Sequence, residues 1–168
     1  EKAAISLLKQ LGISGETGSS ISPIVGEHYV LNFIGTTIPT LRRKGWYVIL
    51  DDKLDEFVNN QDSIIPLIKI EKSPTPGYFD VSYSFYAPPD RIVPHTDIQR
   101  AITKGDAYIT EGDKITFVDI NAINTLRDVF YDCSEGAGQK PGSFRVREIY
   151  ASYLKSSIEA LDGSDVDP

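Results

Sequence analysis

The sequence predicts an α+β protein, a single compact unit in which helices alternate with antiparallel hairpins. First, residues 78–86 alternate strictly: Phe79, Val81, Tyr83 and Phe85 fall on one face, and Tyr78, Asp80, Ser82, Ser84 and Tyr86 on the other. That is the period of a strand with one buried face, and the turn SPTPG joins it to the apolar run 64–70 as a hairpin. Second, residues 33–45 place Phe33, Ile34, Ile38 and Leu41 at helical spacing, then Arg42, Arg43 and Lys44 at the cationic end and Gly45 at the left-handed stop. Third, helical and strand patterns follow one another without the strand-helix-strand regularity of a parallel doubly wound sheet.

In chain order, residues 1–11 carry Ala4, Leu8 and Leu11 on one helical face with Gly12 just past the end. SGETGSSISP at 14–23 is loop. The next helix begins between Glu27 and Asn32, and Pro39 should kink it or open its restart. Beyond Gly45, Trp46, Val48 and Leu50 alternate with Tyr47, Ile49 and Asp51, which predicts a strand followed by an acidic polar connection. Residues 94–104 form a helix with Pro94 at its start and Gly105 as its stop. Residues 107–110 and 114–120 flank the turn EGD as a short hairpin, and Ile123, Leu126, Val129 and Phe130 share one face of the following helix. SEGAGQKPGS at 134–143 is an exposed loop; FRV at 144–146 is a strand stub, and Ile149, Tyr153, Leu154, Ile158 and Leu161 mark a terminal helix. Residues 1–24 are thus helix and loop, 25–162 the α+β domain, and 163–168 a polar linker.

Composition narrows the possibilities. In 168 residues, 40% of them hydrophobic, the chain can bury a proper core. Its net charge of −7 disfavours sequence-independent attachment to phosphate backbones or anionic lipid. Cys133 is the only cysteine, so no internal disulfide forms. No apolar run is long enough to suggest a membrane span, and the cytoplasm is the expected compartment. The chain starts at Glu1 and ends in GSDVDP, which reads as a piece of something longer.

Constellations that could carry chemistry are sparse. GAGQKPGS at 136–143 superficially resembles a phosphate loop, yet Lys140 precedes proline rather than Ser or Thr, so solvent loop is the reading. DDKLDE at 51–56 lacks the ligand offsets of a calcium loop and reads as a solvated strand end. His28, His95 and Cys133 lack zinc-ligand spacing; His95 reads as a cap or surface residue and Cys133 as an unactivated thiol at a helix end. A hydrolase built on Asp51, Asp52 or His95 requires those groups to converge. The residues best suited to a contact face are Arg42, Arg43, Tyr78, Tyr86, Arg145 and Arg147, since rings and cations together suit nucleic acid or another protein. Catalytic, cofactor and metal residues are expected to be none.

Taken in order, FIGTTIPTLRRKGWYVILD, GYFDVSYSFYA, PHTDIQRAITKGDAYITEGDKITFVDINAINTLRDVF and SFRVREIYASYL resemble the accessory, helicase-associated segment N-terminal to the motor in bacterial Swi/Snf-type helicase-like ATPases. Its markers are Gly45-Trp46, Phe79-Asp80, the helix closing on Gly105, the hairpin at 108–118 and the helix led by Arg147. The resemblance covers about residues 25–162. It implies a parent protein that uses ATP to translocate on duplex DNA, with 163–168 leading to a motor that holds the ATP and magnesium. None of the motor's nucleotide motifs occurs here, so the chain itself is expected to be a non-catalytic domain that positions or regulates the motor or docks a partner. A free-standing nucleic-acid-binding or protein-interaction module is the other reading.

Overall fold

Pro39 shapes the N-terminal half of the molecule. The structure, a computed structural model, describes residues 2–13, 15, 21–134, 142–160 and 165–167. After α1 (Lys2–Gln10), which buries no side chain, the helical path 27–43 runs as α2 (Glu27–Asn32), a π-helical turn (Phe33–Thr37) and α3 (Ile38–Arg43). Proline cannot donate and its ring crowds the carbonyl four residues back, so a widened turn immediately before it gives the ring room. Thr40 Oγ1 donates to Thr36 O at 2.7 Å and ties that turn. The path ends at Gly45, whose φ of 80° is the left-handed stop expected of it.

Residues 46–50 depart from expectation. Their alternation is real, with Trp46, Val48 and Leu50 half-buried and Tyr47 and Ile49 exposed, but among the described residues the segment joins no sheet. The acidic connection that follows is α4 (Asp52–Asn59), not a solvated strand end: Asp51 Oδ1 accepts from Leu54 N at 2.8 Å and caps it. Leu54, Phe57 and Val58 turn inward at helical spacing.

β1 (Asp62–Ser63) and β2 (Ile65–Lys72) lead through the proline-glycine turn into β3 (Tyr78–Ala87), and Ile68 pairs with Tyr83 in the antiparallel register the hairpin demands. β4 (Arg91–Val93) turns back on the upper half of β3. Then come α5 (His95–Lys104), the hairpin β5 (Tyr108–Glu111) and β6 (Lys114–Phe117), and α6 (Ile120–Cys133). β7 (Ser143–Arg147) pairs with the lower half of β3, a 3-10 turn (Glu148–Tyr150) follows, and α7 (Ala151–Glu159) packs against α6. β8 (Asp165–Asp167) runs parallel to Leu67, Ile68 and Lys69, where the sequence read only a linker. β1 and β6 are also parallel, so the α+β class stands while the sheets are mixed rather than purely antiparallel.

Two apolar clusters hold the unit together. Ile68, Val81, Tyr83, Phe85, Ala87, Val93 and Val146 form the inner face of the large sheet, covered by Ile98, by Ile123, Leu126, Val129 and Phe130, and by Leu154 and Ile158. Leu31, Ile34, Ile38 and Phe117 form the second, with Val48, Leu50, Leu54 and Phe57 packed on it. Phe117 belongs to one and Val118 to the other, so consecutive residues join the two. Ile149 and Tyr153 are exposed, at 70% and 51%, so Leu154 and Ile158 alone anchor α7; the predicted loops at 14–23 and 134–143 and Leu161 fall largely or wholly outside the described residues.

Candidate functional site

The outer face of the large sheet gathers four of the six predicted contact residues. Because side chains alternate along β3, burial of Val81, Tyr83, Phe85 and Ala87 sends Tyr78, Asp80, Ser82, Ser84 and Tyr86 to the opposite face. Register places Tyr78 beside Arg147, Asp80 beside Arg145, and Tyr86 beside Ile92. β2 adds Leu67, Lys69 and Glu71 on the same face, opposite Ser84, Ser82 and Asp80.

Electrostatics on this face are nearly balanced. Arg145 Nε donates to Asp80 Oδ1 at 2.9 Å, and Lys69 Nζ lies 2.9 Å from Glu71 Oε1. The hydrogen bond from Arg145 holds the Asp80 carboxyl below the usual carboxylate range, and the same bond raises the arginine. The Tyr86 hydroxyl donates to Pro89 O. What the face offers a partner is therefore ring surface, serine hydroxyls and paired charge, rather than a cationic groove.

Arg42 and Arg43 stand apart from it, in the last turn of α3. Arg43 forks onto Asp119, with Nη2 donating to Oδ1 at 3.2 Å and Nη1 to Oδ2. Asp119 also accepts from Ala122 N at 3.0 Å, so one carboxylate caps α6 and anchors α3. Beside this joint, Thr40, Lys44, Asn121, Asn124, Thr125 and Asp128 line an open polar recess of about 410 Å³. Asn124 Oδ1 is buried there without a hydrogen-bond partner among the described residues. Its lining suits a small polar guest or water.

The histidines are placed by packing. His95 is not a surface cap: it is half-buried, its ring lies 5.0 Å from that of Phe85, and Nε2 donates to Tyr83 O at 3.0 Å. His28 lies between Asp106, 3.4 Å from Nδ1, and Asn32, whose Nδ2 is 3.2 Å from Nε2. Asn32 Oδ1 accepts from Ala107 N at 2.6 Å, so the group latches α2 to the turn before β5. Asp51 caps α4 and Asp52 opens it, while His95 is engaged with β3. Cys133, buried at the end of α6, has its thiol pushed up by burial and then by Asp132. Among the described residues no three His, Cys, Asp or Glu side chains gather to hold a metal, and no helix is long and apolar enough to cross a membrane.

Comparison with protein-family models, curated proteins and solved structures finds no match to this chain. The weight of any functional reading therefore rests on its residues.

Sequence reasoning did not find Asp119, Asn124 or the His28 latch. Asp119 precedes a helical pattern, which marks it as a cap; its second partner, 76 residues away, leaves no local trace.

Proposed function

We propose that this chain is a non-catalytic accessory domain of a Swi/Snf-type ATP-dependent DNA translocase, positioning or regulating the motor or docking a partner for it. The observation that carries this reading is that every segment bearing a marker of the resemblance is an integral joint of one folded unit. Gly45 ends α3, Phe79 and Asp80 lie in the central strand, α5 closes at Gly105, the 108–118 segment is the hairpin that joins the two clusters, and Arg147 ends β7 ahead of α7. The partner in this reading is the motor of the same polypeptide, in the cytoplasm; DNA, ATP and magnesium belong to the motor.

The test compares DNA-stimulated ATP hydrolysis by the full polypeptide with and without residues 25–162. Deletion is expected to change the rate or the DNA concentration at half-stimulation several-fold while leaving nucleotide binding intact. ATP hydrolysis by the isolated chain well above background, or an open reading frame with no motor after Pro168, would overturn the proposal.

A second reading is a free-standing nucleic-acid-binding or protein-interaction module, favoured by Tyr78, Tyr86, Arg145 and Arg147 sharing one outward sheet face. Titration with single- and double-stranded DNA at about 50 and 200 mM salt separates the two, because phosphate contacts make affinity fall steeply with salt. Salt-dependent binding that Tyr78→Ala and Arg147→Ala weaken supports the module.

A further inference from the structure

Residues 46–50 alternate in burial like a strand, yet among the described residues no strand pairs with them. Val48 and Leu50 pack on the second apolar cluster and Trp46 is half-buried, while Tyr47 and Ile49 are 91% and 78% exposed. Trp46 N donates to Leu41 O at 3.0 Å, but the peptide groups from Tyr47 to Leu50 make no hydrogen bond among the described residues. An unpaired, alternating strand with two large apolar side chains outward is a template for another strand.

The sequence around it says which strand. Residues 42–52 read RRKGWYVILDD: a basic end, an apolar centre on Val48 and an acidic end. Turned antiparallel on itself about Val48, the segment sets Tyr47 opposite Ile49 twice and Trp46 opposite Leu50, and it brings the end of α3 in each copy, at Lys44, toward the start of α4 in the other, at Asp52. Aromatic and β-branched residues then face each other across the pair, and both ends meet opposite charge. Parallel pairing would instead set basic ends together and acidic ends together. A two-fold, self-complementary contact is what a second copy of one chain supplies.

We propose that residues 46–50 are a docking strand that pairs antiparallel, about Val48, with the same segment of a second copy of this chain. The inference stands independently of the accessory-domain reading. Helices begin at Asp52 and end at Arg43, so the pairing is confined to the extended segment and association is weak.

Sedimentation equilibrium of the chain at concentrations up to about 1 mM tests it, with amide hydrogen exchange locating the contact. A monomer-dimer equilibrium is expected, with slowed exchange in residues 46–50 on dimerisation. Ile49→Lys should abolish association while leaving the circular dichroism spectrum and thermal midpoint unchanged. Lys44→Asp and Asp52→Lys, each alone, set like charges together and should weaken self-association about tenfold; mixing these two variants restores opposite charges at both ends and should restore it. A monomer at every concentration, a dimer protected elsewhere, or a mixture no tighter than either variant overturns the proposal. Protection of 46–50 only when a different polypeptide is added overturns the second copy as occupant.

Discussion

Gly35 is the most tightly packed of the described glycines. A Cβ there would lie 2.4 Å from Ala107 O and 2.9 Å from Ala107 Cβ, because the π-helical turn packs directly on the segment entering β5. Alanine would gain about 1 kcal/mol in helix propensity but forces a shift costing about 3 kcal/mol, so the packing term wins. Gly35→Ala should therefore destabilise by about 2 kcal/mol, read as a lower urea midpoint with an unchanged slope. Cys133 makes a complementary case: its thiol is buried and its ionisation suppressed. In folded protein at pH 8 it should react with an aromatic disulfide reagent far more slowly than in urea. Equal rates would show that the end of α6 opens freely.

Between elements, the decisive joint is Arg43–Asp119. Its side chains are 18% and 21% exposed, which spares the pair much of the solvent screening that makes surface pairs weak. Asp119→Ala removes both the cap of α6 and the arginine's partner, and should cost about 2 to 3 kcal/mol; Arg43→Ala leaves the cap and should cost about 1 to 2 kcal/mol. In a double-mutant cycle the two should couple by about 1 kcal/mol, and additive losses would sink the joint. The same scale explains the misreading of residues 51–59. Asp51, Leu54, Phe57 and Val58 carry a cap and a helical stripe, but acidic residues between them mask the pattern as a solvated connection. Residues 46–50 err the other way: local alternation predicts a strand, whereas pairing needs a neighbouring strand, and none of the described residues provides one.

For the whole molecule, pH sensitivity follows from groups in different layers. Asp80, held low first by its hydrogen bond from Arg145, contributes stability above its ordinary value of 3.8, lost as pH falls through its lower folded value. Cys133, Tyr83 and Tyr108 are each raised chiefly by burial, and their contributions are full below the ordinary values of 9.0, 10.0 and 10.0. These decline as pH climbs above those values toward the raised folded ones. Urea midpoints should hold level from about pH 4 to 9 and fall beyond. Tyr83→Phe should flatten the alkaline limb and Asp80→Asn the acid one. An alkaline limb unchanged by Tyr83→Phe would remove burial of that phenol as its cause.

Local pattern alone determined the α+β class, the β2–β3 hairpin, α5 with its stop at Gly105, the β5–β6 hairpin and the buried stripe of α6. Each is specified by periodicity and turn chemistry within a few residues, and each reappears in the structure. Tertiary structure alone decided that Arg145 and Arg147 join the face that Tyr78 and Tyr86 share, while Arg43 is drawn away to Asp119. It also decided that His95 packs on Phe85, that β1 pairs with β6 and β8 with β2 in parallel, and that residues 46–50 find no pairing strand among the described residues. The physical reason is one of range: caps, turns and amphipathic stripes act over a turn or two of chain, whereas partners tens of residues apart are chosen by how the finished layers pack.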